Sequence, residues 1–170
     1  MTSPSVVDIR RLDAGHAAAW RALMLVALAR EADAFTSDAD ESGALPLAWW
    51  ERRTADETVL GLFSGDELVG VVALKRESRL RVRHKAVVSG LYVAEDLRGR
   101  GHGAALLDAA VAAARELDGL RVLQLMASAH NAAALALYRS RGFEVYGSEP
   151  YAVRNGDGYV TKLHLWRLLP

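Results

Sequence analysis

Leu91-Tyr92-Val93-Ala94-Glu95-Asp96-Leu97-Arg98-Gly99-Arg100-Gly101-His102-Gly103 is the stretch on which the fold turns. An apolar strand end leads in. An alanine-rich helix over Ala104–Leu117 leads out, stopped by Asp118-Gly119. Glycines at 99, 101 and 103 carry no Cβ, so backbone N–H groups can approach an anion closely. The first N–H groups of the next helix have no acceptor within it, and the helix dipole favours negative charge there. Arg98 and Arg100 can add charge-assisted bonds to phosphate. Pyrophosphate is the natural ligand of such a loop. A plain structural turn is the bland alternative. A dinucleotide loop is another, since Gly99, Gly101 and Ala104 fit G-x-G-x-x-A. That reading needs an acidic residue after the next strand, and none lies between Gly119 and Phe143. The phosphate loop G-x-x-x-x-G-K-[ST] does not occur.

Working outward, strands are expected over Val6–Arg10, Thr58–Ser64, Leu68–Lys75, Leu80–Val93, Arg121–Ala127, Phe143–Tyr146 and Tyr159–Leu168. Asp13 caps a helix from Ala14 to Ala32, and Pro46 opens a short helix bearing Trp49 and Trp50. Phe35–Leu45 reads as a loop, and so does Tyr146–Tyr151. Asn131–Arg141 reads as a helix stopped by Gly142. A strand–helix–strand in the middle demands a parallel crossover. The expected fold is α/β, a mixed and mostly antiparallel sheet of about seven strands with helices on both faces, forming one domain over 1–170.

Composition narrows the function. Hydrophobic residues make up 51% of the 170, so a core can form. Lys plus Arg equals Asp plus Glu at 21 each, which speaks against a general nucleic-acid binder. Cysteine is absent, which excludes thiol nucleophiles, disulfides and cysteine-ligated metal. No apolar run approaches a membrane span, and the first ten residues lack the order of a signal peptide. A cytoplasmic protein without metal, membrane or nucleic-acid partner is expected.

A second motif runs from Asn131 to Phe143. Asn131 and Tyr138 lie two helical turns apart, on one face with Ala134 and Leu135 between them. Small residues beside one amide and one phenol suit close packing on a thin ligand. A capped amphipathic helix accounts for the same pattern.

Together the two motifs resemble the GNAT N-acetyltransferase family. Arg98-x-x-Gly101-x-Gly103 is similar to its R/Q-x-x-G-x-G/A signature, and N-x-x-A-x-x-x-Y-x-x-x-G-F from Asn131 is similar to its second motif. The resemblance spans about Glu57 to the C-terminus. It implies a splayed strand whose backbone at Leu91, Tyr92 and Val93 meets the pantetheine arm and thioester of acetyl-CoA. It implies a pyrophosphate cradle over Arg98, Gly99, Arg100, Gly101, His102 and Gly103. His102 departs from the aliphatic residue usual there. It further implies that Asn131 and Ala134 line the cofactor and that the Tyr138 hydroxyl serves the leaving sulfur as acid.

Transfer to an amine also needs a base. No carboxylate lies between Glu77 and Glu95 on the long strand candidate. His84 is the first candidate, since an imidazole is suited to proton transfer near neutral pH. By alternation it shares a face with Leu80, Val82, Ala86 and Val88, which favours a packed or edge histidine, and a bulge at Ser89-Gly90 would shift that phase. His164, Glu31 and Asp33 are further options. The run Arg79–Lys85 reads as a charged sheet edge. Trp20, Phe35, Trp49, Trp50, Tyr146, Tyr151 and Tyr159 are offered for the acceptor end, a small-molecule or peptide amine. A homodimer through the sheet edges is compatible with this. A catalytically idle acyl-CoA-binding domain of the same family, acting as a sensor or interaction module, is the alternative to an enzyme.

Overall fold

The computed structural model describes residues 7–170. One seven-stranded sheet organises them, in the order β1-β2-β3-β4-β5-β7-β6. The first strand, β1 (Val7–Arg11), is followed by α1 (Ala17–Arg30), α2 (Ala39–Ala44) and α3 (Leu47–Asp56). Then come β2 (Thr58–Ser64), β3 (Glu67–Arg76), β4 (Lys85–Val93), α4 (His102–Arg115), β5 (Val122–Ser128), α5 (Ala132–Ser140), β6 (Glu144–Asn155) and β7 (Gly158–Leu168). The β4–β5 pair is parallel and the other pairs are antiparallel. The mixed sheet agrees with the sequence expectation. Val6, expected in the first strand, lies outside the described residues.

Strand alternation builds one core on each face. Leu60, Leu62, Val72, Leu74, Ala86 and Val88 pack against Leu106, Leu107, Ala110 and Val111 of α4. Val59, Phe63, Val71 and Ala73 pack against Trp20, Met24 and Ala27 of α1 and Trp50 of α3. Each fully buried Leu or Val contributes roughly 1.5–3 kcal/mol. On β4 the alternation changes phase. Ala86 and Val88 face α4, and then Leu91 and Val93 do. The register against β3 slips at this point, where Ser89 pairs Ala73 and Tyr92 pairs Val71. Gly90 sits in the bulge with φ +64°.

Three expectations need correction. The strand expected over Leu80–Val93 begins only at Lys85, and residues 79–84 form turns. Four cations alternating with apolar residues imitate a strand, but no neighbouring strand pairs with them. The Phe35–Leu45 loop contains α2, whose N-cap Asp38 accepts from the N–H groups of Asp40 and Glu41. The Tyr146–Tyr151 loop is bulged strand within β6, with Tyr151 at φ 56°. Gly147 and Pro150 gave it the look of a loop.

Candidate active site

β4 and β5 pair only from Lys85↔Val122 to Val87↔Gln124. Beyond that the strands separate, so β4 from Val88 onward has no partner on its β5 side. The bulge and the splay coincide at the carboxyl end of β4, where α/β sheets commonly take ligands. Three connected hollows meet there. The central one is lined by Val87–Leu91, Met126–Ser128, Asn131, Ala134, Leu137, Tyr138 and Lys162. An outer groove continues along Leu91–Val93 to Arg98, Gly99, Gly101, His102 and Gly103. A third hollow, walled by Trp20, Met24, Trp49, Trp50 and Arg53, opens on the α1 side. Phe35 lines all three.

The glycine loop is built as a cradle. Gly99 and Gly101 stand at φ +74° and +82°, and a Cβ on either would meet nothing within 4 Å. The side of the loop that a side chain would fill is therefore open. Gly101 N-caps α4, so the N–H groups of His102, Gly103 and Ala104 lack acceptors in the helix. These features fit a diphosphate.

Arg98 is used differently from the sequence expectation. Its Nε donates to the Val93 carbonyl at 3.0 Å and its Nη1 to Glu31 Oε1 at 2.7 Å, with the guanidinium over the Tyr92 ring. Partial burial opposes its charge, and Glu31 outweighs that, holding the group above its ordinary value. Arg98 therefore braces the loop against β4 and the end of α1. Arg100 is exposed and does not line the groove.

Asn131 does two jobs at once. Its Oδ1 caps α5 by accepting from Ala134 N–H at 3.1 Å, and the residue lines both the central hollow and the groove. Tyr138 lines the central hollow, its ring set edge-on to Phe143 at 6.2 Å. Burial pushes its phenol up to about 12. It therefore keeps its proton throughout the neutral range.

Of the expected bases Glu31 lines the outer groove, and His84, His164 and Asp33 line none of the three hollows. His84 lies exposed in the turn before β4, at the opposite end of the strand from Gly90, and lines none of the three hollows. His164 is bound to Glu149 at 2.7 Å on β6 and β7, away from the hollows. Glu31 is held by Arg98, and the Asp33 carboxylate by Asn155 and by His130 at 3.2 Å. Buried Glu57 receives a two-pronged bond from Arg53 at 2.7 and 3.0 Å.

Of the aromatic residues offered for the acceptor end, Trp20, Phe35, Trp49 and Trp50 line the third hollow. Tyr146, Tyr151 and Tyr159 are exposed elsewhere on β6 and β7. Sequence reasoning missed Thr36, Met126, Ser128, Leu137 and Lys162. Lys162 carries the only signal that could have drawn notice, a cation in an otherwise apolar alternation.

The splay and the open glycine loop are the features that the resemblance to the GNAT family implies. The acetyltransferase (GNAT) family profile matches residues 23–143, and the chain belongs to that family. It is 37% identical over 119 residues to a mycothiol acetyltransferase of Brachybacterium faecium, covering 66% of this chain and 35% of that protein. The chain thus spans about a third of that relative's length. A GNAT acetyltransferase of Streptococcus pneumoniae superposes with TM-score 0.87 at 25% identity, covering 96% of this chain and 100% of that one. The yncA protein of Salmonella typhimurium, solved with its cofactor acetyl-CoA, superposes with TM-score 0.82 at 25% identity, covering 98% and 95%. Among the described residues no cluster could hold a metal ion, and no helix is long and apolar enough to cross a membrane.

Proposed function

We propose that this chain moves an acetyl group from acetyl-CoA directly to a primary amine, both substrates being bound at once. The observation that carries this reading is the continuity of the site. A cradle of helix N–H groups at Gly101–Ala104 leads along the unpaired edge of β4 into a hollow that holds Tyr138. That hollow in turn meets the tryptophan-lined one. That order suits a diphosphate, a pantetheine arm, a thioester and an amine in turn. Free backbone groups of β4 near Leu91 suit the carbonyl oxygen, which gains charge during attack.

Tyr138 serves the sulfur. A phenol near 12 holds its hydrogen firmly, while a thiol titrates near 8.5, so complete proton transfer to thiolate runs uphill. The hydroxyl acts chiefly by donating a hydrogen bond as charge develops on sulfur. Leu91, Tyr92 and Val93 offer the pantetheine contacts, and Gly99, Gly101, His102 and Gly103 the diphosphate contacts. The acceptor, a small-molecule or peptide amine, enters from the tryptophan side. Apolar and aromatic walls there favour an amine with an apolar body. Cytoplasmic residence belongs to the same proposal.

The idle acyl-CoA-binding reading draws on one observation: the carboxylates near the groove are already engaged. Thiol release from acetyl-CoA, measured over a panel of aromatic and aliphatic amines and amino acids, separates the two. Turnover on any member supports the enzyme. Tight coenzyme A binding with no turnover on a broad panel favours the idle domain.

A further inference from the structure

We propose that Lys162 is the proton acceptor of the transfer, its amine taking the proton from the incoming ammonium. This rests on the acetyltransferase reading and supplies the base that reading lacks. Lys162 stands on β7 opposite Ser128 of β5 and is only 2% exposed. It nevertheless lines the same hollow as Tyr138 and Leu91. Its Nζ donates to the Asp33 carbonyl at 2.7 Å and to Ser128 Oγ at 3.0 Å. The Ser128 hydroxyl gives its own hydrogen to the same carbonyl, so it meets Nζ as an acceptor.

Valence then decides what is left over. A neutral amine has two N–H bonds and one lone pair. Both N–H bonds are used, and the lone pair is unspent. An ammonium would have a third N–H with no protein acceptor. The groups around it do not supply one. The Asp33 carboxylate binds Asn155 and His130. Glu149, the register partner on β6, binds His164. Tyr138, the other titratable group of this hollow, is a neutral phenol. Burial lowers the Lys162 amine below its ordinary value, and the Asp33 charge offsets that in part.

The step balances as follows. The acceptor ammonium gives one proton to Lys162 Nζ. The freed amine attacks the thioester carbon, a C–N bond forms, and the C–S bond breaks. The sulfur leaves as thiolate, held by the Tyr138 hydrogen bond. Of the two protons shed, one on Lys162 and one on the new amide nitrogen, one passes through solvent to the sulfur, which ends as thiol, and the other is released, so one proton is released per turnover.

The test compares wild-type chain with Lys162→Met and Lys162→Arg in acetyl-CoA turnover against pH, using the best amine of the panel. Coenzyme A affinity and melting temperature are measured in parallel. We expect kcat/KM to fall about 100-fold at neutral pH in both variants, the range for loss of a general base. Coenzyme A affinity should be retained. The deficit should shrink as pH approaches the acceptor's own pKa, where no base is needed. A deficit that is constant with pH, or none, overturns the role of Lys162 while leaving the acetyltransferase reading intact. An inert wild-type chain overturns both. Carbon-13 NMR of ε-labelled lysine in the unliganded protein reads the Lys162 amine directly. An ordinary titration near 10.4 overturns the proposal even if a variant fails to fold.

Discussion

Tyr138 and His84 entered as the acid and the first candidate base, and the structure parts them. Tyr138 sits at the splay, and His84 sits in a turn beyond the far end of the same strand. Tyr138→Phe keeps the ring against Phe143 and removes only the hydroxyl. Turnover should fall about 100-fold with coenzyme A binding and melting temperature little changed, as thiol-release kinetics and calorimetry would read. His84→Ala should leave turnover unchanged, and a large loss would show that the turn before β4 reaches the site. The raised phenol has a second consequence. Unfolded, it ionises near 10; folded, it holds its proton to about 12. Between those values the native state binds more protons than the unfolded one, so stability falls as pH rises. Tyr138→Phe should lessen that alkaline loss in denaturant titrations from pH 10 to 12. Helical spacing put the phenol on one face with Asn131 and Ala134, but that pattern alone fits a capped amphipathic helix, and its proposed role came from the resemblance of the second motif to the GNAT family. The misplacement of His84 has an equally physical cause. Alternation assigns a face only where a strand exists, and nothing local marks where pairing begins.

The β4 bulge and the α4 cradle were legible from glycine placement, since both need φ values that side chains resist. The energetic weight differs between them. Gly90 sits where the sheet changes phase, so Gly90→Val strains a positive φ by about 1–2 kcal/mol and also invites β4 back into plain register. That register would carry Leu91 and Val93 away from α4. A lower melting temperature and weakened coenzyme A binding should appear together. Gly101→Val strains the backbone similarly, but its Cβ points into open space, which the proposed diphosphate would occupy. Its melting temperature should change less, and its coenzyme A affinity, by titration calorimetry, should fall at least about tenfold, as expected when a cradling N–H is displaced from phosphate. Equal effects of the two variants on both readouts would mean that the loop is only a turn. Arg98 shows what element-level reading misses. The arginine of the signature is visible in sequence, but its partner Glu31 lies 67 residues away, so its bracing role is not.

At the scale of the whole molecule the same limit explains Lys162. Its partners Asp33 and Ser128 come from the turn after α1 and the end of β5, 129 and 34 residues distant. Only the assembled sheet brings them together. The sheet also separates two basic features that composition alone cannot rank. One is the glycine cradle, and the other is the exposed turn over residues 79–84. A ligand that binds only the native state stabilises it by about 2.7 kcal/mol at one hundred times its dissociation constant. That stabilisation must be distributed over the backbone it touches. Amide hydrogen exchange with saturating coenzyme A should therefore slow at residues 88–93, 99–104 and 131–134. The turn at 79–84 and the β6–β7 tip near Gly156 should exchange as before. Protection concentrated in the basic turn would move the cofactor to the far end of the sheet. The splay between β4 and β5 would then be a feature of packing, and Tyr138 would have no sulfur to serve.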